Sequence, residues 1–335
     1  MRKVSVNKYR HYKQQGFSLV EIILALSVGL VLLGGVLGVF EGLRTTTRET
    51  SSYGELEENG RFAISVLTDD LLRQDFWGDY TGTFDLSSIN PVPAAPAVEC
   101  IGEGVNNGTF PTAVGHFRTL WGKDVTSATP MNCITNAVVY TTPKMSDIIQ
   151  IKRVVASPLV DATNNPVTTT PPGNYYLVSN TNGGVVFAPG TVPGVTNGQV
   201  WQYQHHIYYV KEETQGSNKV PVLMQGQLTT KMTFSPIIDG IEVIHFMYGL
   251  DTDGDNIINA FVAAKNMTAD NWNNAGSTIL AVKIYVLARN TTPDNKYTNT
   301  NTYNLGDMSF SVNDNYRRLL FTSTVTLFNA RVDSW

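Results

Sequence analysis

The sequence predicts an α+β fold, one long N-terminal helix followed by an antiparallel, β-rich body. Three observations point to it. An apolar run from Phe17 to Phe40 is long enough to cross a bilayer as a helix. Helical patterning then continues without proline through Phe76. Beyond it, β-branched and aromatic segments alternate with loops rich in Pro, Gly, Asn and Thr.

At 335 residues the chain has room for one large or two small globular units besides the apolar run. With 42% hydrophobic and 16% charged residues, wholesale disorder is excluded. Charge is placed unevenly. Residues 1–16 hold Arg2, Lys3, Lys8, Arg10 and Lys13 and no acid, whereas the chain as a whole has a formal charge of −4. The rest is therefore strongly acidic and lacks the broad basic footprint of a nucleic-acid binder, so no direct nucleic-acid binding is predicted.

The basic leader and apolar run invite a secretory-signal reading, but no A-x-A cleavage pattern follows the run. The leader's charges place it in the cytoplasm and the body outside, so the run reads as a retained anchor. This divides the chain into leader 1–16, membrane-spanning helix 17–40, extramembrane helix 41–78 and body 79–335.

Glu21 is the one charge inside the span. An acid at the centre of a membrane helix costs about 2.5–3.5 kcal/mol, and less near its end. One reading is that Glu21 reaches the headgroups. The sharper one starts from a cut after Gly16, which frees the amine of Phe17, four residues away on the same helical face. The acid of one chain then pairs with the amine of its neighbour in an assembly, and a carboxylate also suits a helix N-terminus. Gly34, Gly38 and Gly42 form a small-residue row that either permits close helix contact or reflects the abundance of glycine in membrane helices.

In the second half of the helix, Leu56, Ala63, Leu67 and Leu71 fall at helical spacing among charged residues. "DFWGD" predicts the end near Trp77, with Gly78 in the left-handed position. Strands are predicted at "DIIQIKRVV", "NYYLVS", "QVWQYQHHIYYVKE", "VPVLMQ", "IEVIHFMY", "ILAVKIYVLA" and "LLFTSTVTLF". In "ILAVKIYVLA", Val282, Ile284 and Val286 alternate with Lys283 and Tyr285, the pattern of a half-buried strand.

Cys100 and Cys133 have neither CxxC spacing nor a histidine pair nearby, which argues against zinc. In a body outside the cytoplasm they read as a disulfide; the alternative is two buried thiols. "DTDGDNIINAF" is the metal candidate. Asp251, Asp253 and Asp255 at alternate positions, with Asn259 adding an oxygen, resemble a calcium loop, although Asn256 and Val262 depart from the usual glycine and acid. A solvated acidic turn is the other reading. His205 and His206 face opposite sides of a strand, and His116 and His245 belong to no motif. HExxH, G-x-S-x-G and P-loop patterns are absent, so no catalysis is predicted. Trp201, Tyr203 and Tyr209 share one strand face, either a binding surface or sheet core.

"GFSLVE" after a basic leader resembles the processing motif of type IV prepilins and type II secretion pseudopilins. The resemblance implies a prepilin peptidase that cuts after Gly16 and methylates Phe17, and an assembly role for Glu21. "ELEENGRFAISVLTDDLLRQDFWG" and, near the C-terminus, "IIDGIEVIHFMYGLDTDGD", "AVKIYVLAR" and "NYRRLLFTSTVTLFNAR" resemble PilW-type minor pilins. Region 79–235 is less recognisable than 236–335. The resemblance implies a pilin-like fold, an inner-membrane subunit with a periplasmic body that later joins a surface filament, and a role in priming assembly or at the tip. It also implies partners: other minor pilins, the major pilin, the inner-membrane assembly platform and a tip adhesin. A type II secretion pseudopilin is the near alternative. A membrane-tethered adhesin gives no reason for Glu21.

Overall fold

The computed structural model describes residues 16–141 and 144–329; the basic leader, residues 1–15, lies outside them. The chain divides into two compact units between Ser52 and Tyr53, and helix α1 (Leu19–Leu72) contributes to both.

In the first unit the apolar residues of α1 are exposed on every face. Ser27, Thr45, Thr46 and Thr47 donate their hydroxyls to the carbonyls of Ile23, Glu41, Gly42 and Leu43. For Ser27, inside the 17–40 span, a hydroxyl satisfied within its own helix needs no water, which suits it to an apolar surrounding. Among the described residues, α1 is the one helix long and apolar enough to cross a membrane.

The second unit holds the rest of α1 and all the strands. Leu56, Ala63, Leu67 and Leu71 are buried, as their spacing predicts. Gly60 lies against the ring of Phe321; a Cβ there would sit 2.0 Å from a ring carbon, so only glycine permits this approach. The helix ends at Leu72, five residues before the expected end. The left-handed residue is Asp75 (φ 58°), whose N–H is taken by the Lys152 carbonyl, while Gly78 (φ 70°) serves the turn that pairs Trp77 with Tyr80. A neighbouring strand captures the chain before the helix uses up its own sequence.

A seven-stranded antiparallel sheet is built from β1 (Leu120–Asp124), β2 (Asp147–Val154), β3 (Tyr176–Asn180), β4 (Gly183–Phe187), β5 (Gln199–Gln215), β6 (Asn218–Leu228) and β7 (Met232–Asp239). Strand β5 is its spine. It pairs with β2 on one side and on the other first with β3, then with β6. Edge strand β7 carries Pro236 beside a register shift, where a residue without an N–H is tolerated. A second antiparallel sheet has the order β13-β10-β8-β9, from β8 (Ile241–Asp251), β9 (Ala260–Ala263), β10 (Thr278–Arg289) and β13 (Arg318–Thr326); β11 (Thr302–Leu305) and β12 (Met308–Ser311) form a hairpin between the last two in sequence.

The helix face packs against Ile149, Ile151 and Tyr208 of the first sheet and Ile244, Phe246, Val282 and Ile284 of the second. The opposite face of the first sheet is covered by residues from Trp77 to Ala137, and Trp201, Tyr203 and Tyr209 lie in that core. The aromatic face is therefore sheet interior. The second sheet also departs from expectation. Tyr285 and Leu287 are buried against Leu305, Met308 and Phe310, so β10 is covered on both faces and only Lys283 keeps the half-buried pattern. The hairpin that covers them is short, and its four-residue strands are at the lower limit at which alternation is readable.

Candidate functional site

At the start of α1, Phe17 and Glu21 lie on one exposed helical face with Ala25, Leu26 and Leu33. Ser18 and Glu21 form a capping box: the Ser18 N–H donates to Glu21 Oε2 and the Glu21 N–H to Ser18 Oγ, each at 3.2 Å. Both bonds satisfy helix-end N–H groups that have no partner within the helix. The S-x-x-E spacing in "FSLVE" is a readable signal for this box, and it adds a local role for Glu21 beside the predicted docking role.

A buried polar cluster fastens the other end of α1 to the sheet. Asp70 accepts from Arg153 Nε at 2.7 Å, from His206 Nδ1 at 2.7 Å and from the Tyr208 hydroxyl at 2.8 Å, and Gln225 donates to that hydroxyl at 2.9 Å. Burial acts to raise the Asp70 carboxyl pKa, but His206 and Arg153 outweigh it and hold the pKa far below the usual carboxylate range. Sequence reading missed this cluster because its members are 136 and 138 residues apart for the His206 and Tyr208 contacts. The one available hint was an acid on the apolar face of the helix.

Among the described residues the other histidines are His116, His205 and His245. His205 shares a 2.8 Å hydrogen bond with Gln150, and burial holds its pKa well below the usual histidine value. His245 lies between Asp147 and Asp307, 2.9 Å from each, and Lys265 meets the far oxygen of Asp307. Burial opposes its charge, but the two carboxylates win and raise its pKa. Burial, Arg118 and Lys152 push His116 down to about 4.

Cys100 and Cys133 are joined in a disulfide, which closes a 33-residue separation and places Cys100 in the core beside Phe110 and Phe117. In the acidic loop, ligand-type oxygens of Asp251, Asp253 and Asp255 lie within 4.8 Å of one another. Asp251 is the loop's organiser. It accepts backbone N–H groups from Asp253, Gly254 and Asn256. Burial acts to raise its pKa and these bonds overcome it, leaving the pKa lowered. Asn256 takes φ 63°, the left-handed conformation a glycine would otherwise supply. Asn259, the fourth candidate ligand, accepts the Thr252 N–H with its oxygen at 2.6 Å, and its amide donates to Asp253 at 3.3 Å. The loop thus places three acids together and uses Asn259 as a brace.

The recognisable C-terminal stretches meet in an ion network. Glu242 receives Arg318 through both carboxylate oxygens, at 2.5 and 3.0 Å, and Arg289 at 3.2 Å; Asp314 receives Arg318 in the same two-pronged way at 2.7 Å. The network joins β8, β10 and β13 at one end of the second sheet. Residues 207–329, which contain it, match the family model for the type IV pilus-assembly protein W, and residues 11–37 match the prokaryotic N-terminal methylation motif. The chain is similar to PilW-type minor pilins. The comparisons with curated proteins and with solved structures found no match. The PilW-like region begins within β5, earlier than the C-terminal stretches alone indicate, and includes the acidic loop. The helical stretch from Glu55 to Gly78 lies outside both matched segments. Gly16, Phe17 and Glu21 lie inside the methylation motif. Pilin families are structural rather than enzymatic.

Proposed function

We propose that the chain is a minor pilin that takes part in priming type IV pilus assembly and joins the pilus tip complex. The observation that carries this reading is the presence in one chain of a methylation motif around Gly16, Phe17 and Glu21 and of a PilW-like region from residue 207. Prepilin peptidase cuts after Gly16. The helix from Phe17 holds the subunit as a single span in the inner membrane with its body in the periplasm, then becomes part of the filament. Other minor pilins, the major pilin and the assembly platform are its partners, a tip adhesin among them, and the resulting filament serves motility or attachment.

Mass spectrometry of the mature N-terminus tests the processing step; a chain that starts at N-methylated Phe17 is expected, and a retained leader overturns the reading. Glu21 needs a finer test because it also caps the helix. Glu21→Gln keeps hydrogen-bonding groups for the Ser18 box and removes the charge; Ser18→Ala removes the hydroxyl and keeps the charge. Loss of incorporation into pili is expected for the first and near-normal incorporation for the second. The reverse pattern would show that Glu21 matters only as a cap.

A further inference from the structure

Lys152 lies on β2, between β1 and β5 of the first sheet. It is fully buried, and among the described residues no carboxylate lies within ion-pair distance of its amine. Its Nζ lies 3.2 Å from Asn107 Oδ1 and 2.8 Å from the Arg118 carbonyl, with the Phe117 ring centred 4.3 Å away. Asn107 is buried as well, and its Nδ2 is fixed by the Glu103 carbonyl at 2.9 Å. Glu99 lies close enough for its charge to act on the amine, and its Oε1 is held by the Thr109 N–H at 2.7 Å. The amine and the amide therefore share one buried space, with the half-buried Glu99 carboxylate near enough to influence the amine's charge.

We propose that Lys152 Nζ and Asn107 Cγ join in an intramolecular isopeptide bond, with Glu99 carrying the proton. Burial holds the amine well below the usual lysine range; the Glu99 charge opposes this and Arg118 adds to it. A neutral amine has one lone pair and two N–H groups. One N–H keeps the Arg118 carbonyl while the lone pair turns to Cγ. The Nζ–Cγ bond forms as the Cγ–Oδ1 double bond opens. One Nζ proton passes through the Glu99 carboxylate to Nδ2, the Cγ–Nδ2 bond breaks with its electron pair, and ammonia leaves as the carbonyl re-forms. The products are one secondary amide and one ammonia, with no oxidant or reductant. The bond would staple β2 to the 99–119 segment, which the disulfide already ties to Cys133 within the same covering layer.

The test is peptide mapping of the purified full chain after reduction and alkylation. The peptides containing Asn107 and Lys152 are expected as one linked species, lighter by one ammonia than their sum. Trypsin should not cleave after Lys152. Lys152→Met and Asn107→Ala should each abolish the link, and Glu99→Gln, which keeps both reacting groups, should slow or prevent it. Formation of the Cys100–Cys133 disulfide reports that each variant has folded. Separate peptides with intact Asn107 and cleavable Lys152 in folded wild-type protein would overturn the proposal. So would conversion of Asn107 to Asp, because water rather than the amine would then be the attacking group.

Discussion

The two units of the chain solve opposite problems. In the first, apolar side chains from Phe17 to Leu43 are exposed and have no tertiary partner among the described residues. In the second, charged groups such as Asp70, Arg153, Glu242 and Arg318 are buried and each is met by named partners. Exposed apolar surface on this scale requires a cover from outside the chain, a bilayer or neighbouring helices. Buried ion pairs contribute little net stability but penalise any arrangement that leaves one partner unmatched, so they tie the body to one arrangement of helix and sheets. Apolar surface that needs an outside cover is concentrated in the first unit, and buried charge matched within the chain in the second.

The comparison breaks first if the body tolerates loss of its buried acid. Asp70→Ala leaves Arg153 buried without its carboxylate and should cost about 3–5 kcal/mol in a denaturant melt of the body lacking residues 1–52. Glu21→Gln should leave the melting of the full chain's body unchanged, since Glu21 lies in the other unit. A small effect at Asp70, or a large one at Glu21, would erase the contrast.

Reduction of the Cys100–Cys133 bond comes next. Closing a loop of this length restricts the unfolded chain and should contribute roughly 3–4 kcal/mol, read as the difference between oxidised and Cys100→Ser/Cys133→Ser protein. Equal midpoints would place the constraint in the folded contacts alone.

The acidic loop sharpens the comparison on the surface of the body. If calcium binds there, a hundredfold excess over the dissociation constant should stabilise the body by about 2.7 kcal/mol. Asp253→Ala should remove most of that gain while sparing the metal-free protein, because Asp251, not Asp253, accepts the backbone N–H groups that shape the loop. Identical melts in millimolar calcium and in chelator would leave a solvated turn.

The smallest expected effect is a pH dependence at His245. Its folded pKa is raised by Asp147 and Asp307, so its stabilising contribution is complete below the unfolded value of about 6.5 and is lost as pH rises through the folded value. Each unit of difference contributes about 1.4 kcal/mol. His245→Gln should flatten this part of the stability–pH curve. Asp70 has the opposite sign: its contribution is present above the unfolded carboxylate value and is lost only as acid reaches its lowered folded value. A body more stable at pH 9 than at pH 6 because of His245 would contradict the ion contacts that surround it.

Local chemistry was readable from the sequence by itself. The apolar span, the buried stripe of Leu56, Ala63, Leu67 and Leu71, the long strands β5, β8 and β10, and the processing motif all depend on residues within about a turn or a strand of one another. The tertiary structure decided what depends on distant partners. It ended α1 at Leu72 because the Lys152 carbonyl captures the Asp75 N–H. It covered the second face of β10 with a distant hairpin that the pattern of β10 itself does not report. It turned Asn259 into a brace through Thr252, and brought Asp70 to His206 and Lys152 to Asn107. Periodicity reports which face of an element is apolar; it contains no term for which distant side chain arrives at a polar position on that face, and in this chain the buried polar positions are the ones that set helix, sheets and loops against one another.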